Sequence, residues 1–527
     1  MRGLDGPWGL RVAGLVGVAV VAAGAYGAGA LPGRDPGAGL RGAGSPDAGY
    51  WWGLAAWVVG LTILSGAWWR LGNRLAQVSS RWLIVTGALW AVPLLFAPPL
   101  ASRDVYSYAC QGEIWRAGLD PYAVGAADGG CPWAYAVPNL WQHTPAPYGP
   151  VGIALSGAAA TVGRAVGGPA DHQLLAAVSL LRVVALIGGV LIAAYAGRLA
   201  TAAGVDAGAA RWLGLLSPLV AVHLVSGAHN DAITAGLVVA ALAVAVPAAG
   251  RRGASVAQAA GGDHSPLRRA GAGIAAGAFL GLAVGVKVTA LIALPFVVLL
   301  VAGQQLRRSE HGWRNIAGSA AVVTGTAASV FAAASLATGL DLGWIGALSD
   351  TGSLIQWTSL PTGIGMAFGY LFRAAGWPGA VDPAIDIARI CGVAALAAIG
   401  LALCWRALRA TLGRPSQADA HDHGADGTRK VIAACGWALA AATILLPVFY
   451  PWYALAPLAV LACATPPGRT RTGLAIAALA ITALVLPNGL GLAVLTKLPG
   501  AILDVVIVVA LAYRFRGRLS LDKPAQT

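Results

Sequence analysis

The chain has 527 residues, 57% of them hydrophobic and only 11% charged, with a mean hydropathy of +0.71 and a formal net charge of +14. Soluble proteins carry about 25% charged residues, so an ordinary soluble domain is excluded. The positive charge is spread over short basic clusters between apolar runs, a distribution that argues against nucleic acid as a partner.

Apolar runs of roughly 17–25 residues recur from Val12 to Tyr513, enough to cross a hydrocarbon core of about 30 Å repeatedly. In lipid the backbone must satisfy its own hydrogen bonds, so the chain reads as an all-α polytopic membrane protein. Its 72 glycines suit close helix packing. The first span, near 12–31, resembles a signal peptide, with Arg2 and Arg11 before it and small residues after it. Its apolar core is too long for one, and many spans follow, so it is read as an uncleaved anchor. Further spans are expected near 50–69, 82–100, 174–197, 212–227, 232–249, 271–286, 288–303, 315–338, 386–405, 431–449, 452–465, 472–487 and 490–513.

With the N-terminus cytoplasmic, this topology places 25 of the 35 Lys and Arg on the inner side but only 8 of the 21 acids. That is the positive-inside pattern. Residues 150–168 and 361–377 are apolar too, but a crossing at either would flip every later basic cluster outward. They are read as interfacial or re-entrant helices in outer loops. Four regions result: an N-terminal membrane extension (1–81), a core (82–303) with a large outer loop (101–173), further helices (304–430), and C-terminal helices (431–527). The third region contains an outer loop (339–385) and a cytoplasmic linker (406–430).

The residues with chemistry gather at the outer face. Asp104 follows the span 82–100 at the water boundary, flanked by Arg103, Tyr106 and Tyr108, with Gln111 one turn on; a carboxylate so placed can act as a general base. Two isolated cations suit a phosphate: Lys287 between two apolar runs, and Arg182 near the outer end of 174–197. His229, Asn230 and Asp231 form a polar turn between two spans that suits a sugar or headgroup, or simply caps a helix. Tyr450 and Tyr453 lie in an aromatic knot, and Asp120, Tyr122, Trp141, His143 and Tyr148 lie in the first outer loop. Such aromatics stack on sugars and also populate membrane interfaces. Cys110 and Cys131 share that loop on the oxidising side, where a disulfide is allowed. The His/Asp tract 419–426 has no second ligand cluster nearby and reads as a solvated flexible loop. No glycine-rich phosphate loop or nucleotide-binding domain is evident, so the activated substrate is expected to arrive within the membrane on a lipid.

Taken together, SRDVYSY (102–108), GLDPY (118–122), TPAPYGP (144–150), SGAHNDA (226–232), GLAVGVKVTAL (281–291) and FYPWY (449–453) make the chain resemble a known family. It is similar to the polyprenol-phosphomannose-dependent α-1,6-mannosyltransferases of actinobacteria (the MptA/MptB group, with MptB the nearer branch), within the GT-C superfamily. The resemblance runs from about residue 82 to about 460. It implies a GT-C-like fold of about 13–14 transmembrane helices with interfacial helices in the outer loops. It also places the catalytic aspartate of the first large outer loop at Asp104. Two spans precede the one ending near Asp104 where many relatives have none, which makes them an N-terminal extension.

The implied reaction is inverting transfer of mannose from a polyprenyl-phosphate mannose donor to a mannan-bearing lipid acceptor of the lipomannan and lipoarabinomannan kind. It would occur at the outer face of the plasma membrane. Lys287 and Arg182 would stabilise the departing phosphate. No cofactor is implied, and the resemblance leaves a divalent metal open. Rival readings are an arabinosyl, galactosaminyl or protein O-mannosyl transferase, or a polyprenyl-lipid flippase or transporter.

Overall fold

The computed structural model describes residues 6–33, 47–246, 266–306, 312–352, 354–412 and 420–521. Among them the only regular structure is helical, with one isolated bridge between Val485 and Gly491. Every expected span has a helical counterpart. In order the helices are α1 (Pro7–Ala28), α2 (Ala48–Gly72), α3 (Ser80–Phe96), α4 (Asp104–Arg116), α5 (Pro150–Val166), α6 (Ala170–Ala202), α7 (Ala207–Gly214) and α8 (Asp231–Ala245). Then follow α9 (Pro266–Val286), α10 (Leu294–Leu306), α11 (Gly312–Thr338), α12 (Trp344–Gly352), α13 (Leu360–Ala374), α14 (Val381–Leu412), α15 (Ala420–Leu445), α16 (Leu455–Ala464), α17 (Arg469–Ala483) and α18 (Lys497–Leu521).

Six of the described helices are by themselves long and apolar enough to cross a membrane, seven counting one bent pair. The remaining apolar segments are shorter because the chain breaks them. Pro218 follows α7, so the expected span 212–227 is not one helix. It becomes α7 and a π-helical turn, Val220–Ser226, which meets α8 at 108°. Residues 288–303 and 452–465 each open with a 3₁₀ turn, Val288–Ala293 and Pro451–Ala454. Irregular backbone at membrane depth is tolerated where it is buried in protein or lines a cavity, and these breaks flank one. The two apolar stretches read as non-crossing are the short helices α5 and α13. Both bury one face rich in small residues: Gly152, Ser156, Gly157 and Ala160 on α5, and Gly363, Gly365 and Gly369 on α13.

Two expectations change. The span expected at 82–100 is shorter and does not itself carry Asp104: α3 stops at Phe96 before Pro98 and Pro99, and Asp104 opens the separate helix α4. The tract 420–426 is not a loop, because α15 already begins at Ala420, which narrows the linker 406–430 from both ends. Asp426 pairs with Arg429 and, at 2.6 Å, with Lys430 one turn on, spacings that support a helix there. The side chains of His421 and His423 lie outside the described residues.

The N-terminal pair packs closely. Gly17 meets the backbone of Gly60 and Leu64, and Gly24 meets Gly53, so a Cβ at either would fall within 2.8 Å of a neighbouring backbone atom. Buried Arg11 crosses from α1 to donate to the Thr86 hydroxyl (2.8 Å) and the Trp82 carbonyl (2.9 Å) of α3. Cys110 of α4 is bonded to Cys131, tying the following loop to that helix with Cα atoms 5.5 Å apart.

Candidate active site

Helix α4 presents one functional face. Asp104, Ser107, Tyr108 and Gln111 stand at i, i+3, i+4 and i+7, and all four line one cavity of about 330 Å³. Ser102 fixes the start of the helix, its hydroxyl accepting from the Asp104 amide at 3.0 Å. Such a volume is ordinary for a small-molecule site. The loop after α4 adds Trp141, Thr144, Pro145, Pro147 and Tyr148, and the lining also includes Asp231, Lys287, Tyr450 and Tyr453. The apolar part of the lining includes Ile292, Leu439, Ala442, Leu446 and Pro447.

Chain breaks place Lys287 and Asp231. Lys287 is extended between α9 and its 3₁₀ turn, and its ammonium donates to both Asp231 oxygens at 2.7 and 2.8 Å. The same ammonium lies 3.8 Å from the Tyr453 ring centroid, a cation–π contact. Asp231 follows the sharp bend at Ala228, whose φ of +51° is a left-handed conformation that non-glycine residues adopt only under constraint. Burial pushes the Asp104 carboxyl up to about 6, against the lowering influence of the Ser102 hydroxyl and the Lys287 charge. The hydroxyl of Ser107 and the Oε1 of Gln111 are buried with no hydrogen-bond partner in the protein, although both residues line the cavity.

The structure thus brings together Asp104, Tyr108, Gln111, Tyr148, Asp231, Lys287, Tyr450 and Tyr453. His229 lies just behind, its Nδ1 3.6 Å from Asp104 Oδ2, and Asn230 is the next residue, with a buried Oδ1 that meets no partner in the protein.

The other candidates serve the scaffold. Arg103 donates to Asn488, Ala136 and Leu31, and the Tyr106 hydroxyl to the Ala30 carbonyl, away from the cavity. Arg182 donates to the carbonyls of Leu95 (2.8 Å) and Ala97 (2.5 Å), closing the end of α3. It does not line the cavity. Exposed Asp120 accepts from the Tyr122 amide in a turn, and Tyr122 packs against Leu340 and Trp344. His143 pairs with Asp128 at 2.8 Å near the surface.

Sequence reasoning did not single out Thr234 or Thr443, and it met Thr289 and Trp452 only as members of the Lys287 segment and the aromatic knot. Thr234 stands one turn after Asp231 and was findable by helical spacing; Thr443 sits mid-span and carries no local signal. Among the described residues no group of three or more His, Cys, Asp or Glu could hold a metal ion.

An α-helical membrane protein with a buried carboxylate, a lysine and a set of tyrosines around one cavity fits a membrane glycosyltransferase. Residues 11–303 match the family model described as alpha-(1->6)-mannopyranosyltransferase, N-terminal domain, and residues 423–514 match the MptB C-terminal domain. The chain is 32% identical to an alpha-(1->6)-mannopyranosyltransferase of Mycobacterium tuberculosis, over 90% of this chain and 81% of that one. It is 33% identical to a probable alpha-(1->6)-mannopyranosyltransferase of Mycolicibacterium smegmatis, over 96% and 88%. It is 30% identical to alpha-(1->6)-mannopyranosyltransferase B of Corynebacterium glutamicum, over 92% and 78%. No solved structure matches. The chain therefore belongs to the alpha-(1->6)-mannopyranosyltransferase family and is a glycosyltransferase.

Proposed function

We propose that the enzyme transfers mannose, with inversion, from a β-linked polyprenyl-phosphate mannose to the 6-hydroxyl of a mannan acceptor at the outer face of the plasma membrane. The observation that carries the reading is a single cavity lined by both the Asp104 carboxylate and the Lys287 ammonium. In the reaction Asp104 takes the proton of the acceptor hydroxyl as that oxygen attacks the anomeric carbon. The bond from that carbon to the phosphate oxygen breaks, and its electron pair leaves with the polyprenyl phosphate.

Lys287 has three ammonium hydrogens and gives two to Asp231, which leaves one for a phosphate oxygen whose negative charge grows in the transition state. The apolar lining of Ile292, Leu439 and Leu446 suits the first isoprenoid units, and Ser107 and Gln111 offer unmatched partners for sugar hydroxyls. One displacement with one base gives inversion; retention needs a nucleophile as well. Arg182, engaged with the α3 carbonyls, is left out of the phosphate site.

The test is transfer of labelled mannose from synthetic polyprenyl-phosphate mannose to an α-1,6-dimannoside. Wild type should transfer, and Asp104→Asn should lose at least about a hundredfold with folding intact. Retained transfer in Asp104→Asn would overturn the base assignment. Transfer of a different sugar in preference to mannose would overturn the donor.

A further inference from the structure

Behind the catalytic carboxylate, His229 is held on three sides. One face of its ring stacks on Trp452 (centroids 3.9 Å apart, planes 12° apart), and Trp452 stacks in turn on Tyr450 (4.6 Å, 6°). Its Cδ2–Nε2 edge lies against Gly227, where an added Cβ would come within 2.7 Å of Cδ2 and 2.8 Å of Nε2. Its remaining edge directs Nδ1 to Asp104 Oδ2 at 3.6 Å and to the Tyr108 hydroxyl at 3.5 Å. The side chain is fully buried, so its orientation is set by packing and not by solvent.

We propose that His229 is a positioning residue for Asp104, its Nδ1–H pointing at the carboxylate and fixing which oxygen is left to take the acceptor proton. This rests on the reading of Asp104 as the base. Neutral imidazole carries its proton on one nitrogen only, and the neighbour that most needs a donor decides which one. Here a buried carboxylate faces Nδ1, whereas Nε2 meets no hydrogen-bond partner in the protein. Catalytic hydrogen bonds are commonly long before substrate binds and tighten in the complex, which is how a 3.6 Å contact serves. The FYPWY segment thereby acts twice, since Tyr450 and Tyr453 line the cavity while Trp452 braces the imidazole.

The experiment compares full-length His229→Asn, His229→Gln and His229→Phe with wild type and Asp104→Asn in the same transfer assay. An asparagine amide reproduces the position of Nδ1, a glutamine amide that of Nε2, and phenylalanine keeps the stack alone. His229→Phe and His229→Gln should lose roughly tenfold or more in kcat, part of the ~10²–10⁴ a positioned base supplies, with KM for both substrates within about twofold. Their acid limb should move to higher pH, because a carboxylate that loses a donor holds its proton more tightly. The other groups facing Asp104 (Lys287, Asp231, Tyr108, Tyr148, Tyr450 and Tyr453) are unchanged in all variants.

His229→Asn should restore both kcat and the limb. Gly227→Ala, whose backbone φ of −75° accepts alanine, displaces the ring without removing it and should reproduce the limb shift if the His229 variants fold poorly. Wild-type kcat and limb in His229→Phe would overturn the proposal, as would equal losses in the Asn and Phe variants with no limb shift. A fully active Asp104→Asn would instead overturn the base assignment itself.

Discussion

At the residue scale, the site turns on charges that burial makes costly. The Asp104 carboxyl, raised to about 6, is half-ionised near pH 6 and ionised above it. As the proposed base, Asp104 accepts the acceptor proton only when ionised, so kcat/KM should rise with pH and level off above an apparent pKa near 6. A profile flat from pH 5 to 8 would show that this carboxyl does not limit the rate.

The Lys287–Asp231 pair separates structure from chemistry. Lys287→Met strands a buried carboxylate and should destabilise the protein by about 3–5 kcal/mol, as breaking buried pairs does. Lys287→Met/Asp231→Leu removes both charges and should recover most of the thermal midpoint without recovering transfer. Recovery of transfer along with stability would reduce Lys287 to a structural partner.

At the scale of elements, breaks in helices do the positioning. The end of α3, the π-turn before α8, the extended Lys287 and the 3₁₀ turn at Pro451 each bring one group into or against the cavity, which continuous helices would have carried past it. Arg182 secures the first of these breaks, its guanidinium donating charge-assisted hydrogen bonds to the Leu95 and Ala97 carbonyls. Arg182→Ala should lower the thermal midpoint, at about 1.5–3 kcal/mol for a bond to a charged group, while leaving KM for the donor within about twofold. A rise in donor KM at unchanged stability would return Arg182 to the phosphate site. In the sequence Lys287 and Arg182 look alike, each a lone cation at the edge of a span; only the packing of α6 beside the end of α3 distinguishes them.

At the scale of the molecule, topology decides which side the cavity opens on. The positive-inside rule, applied to the Lys and Arg of the sequence, gives the proposed topology, with the loop 101–173 outside and the segment after residue 405 inside. In a Cys391→Ser background, an Asp120→Cys variant should react with a membrane-impermeant maleimide on intact cells, and Arg406→Cys only after permeabilisation. Both positions are exposed. The reverse pattern would invert the topology and move the reaction to the cytoplasmic face.

What the sequence determined by itself is what local chemistry dictates. Apolar length gave the helical membrane architecture and a helix near every expected span, because hydropathy acts within one segment. The motif segments supplied Asp104, Asp231, Lys287, Tyr450 and Tyr453, all of which meet in one cavity. The tertiary structure alone decided that Arg103, Tyr106 and Arg182 face away, that His143 and Asp120 stay at the surface, and that Trp452 braces His229. The physical reason is distance along the chain. A side chain's direction at a helix end is set by which carbonyls and rings from remote segments lie within about 3–4 Å of it, and no local pattern of residues encodes those neighbours.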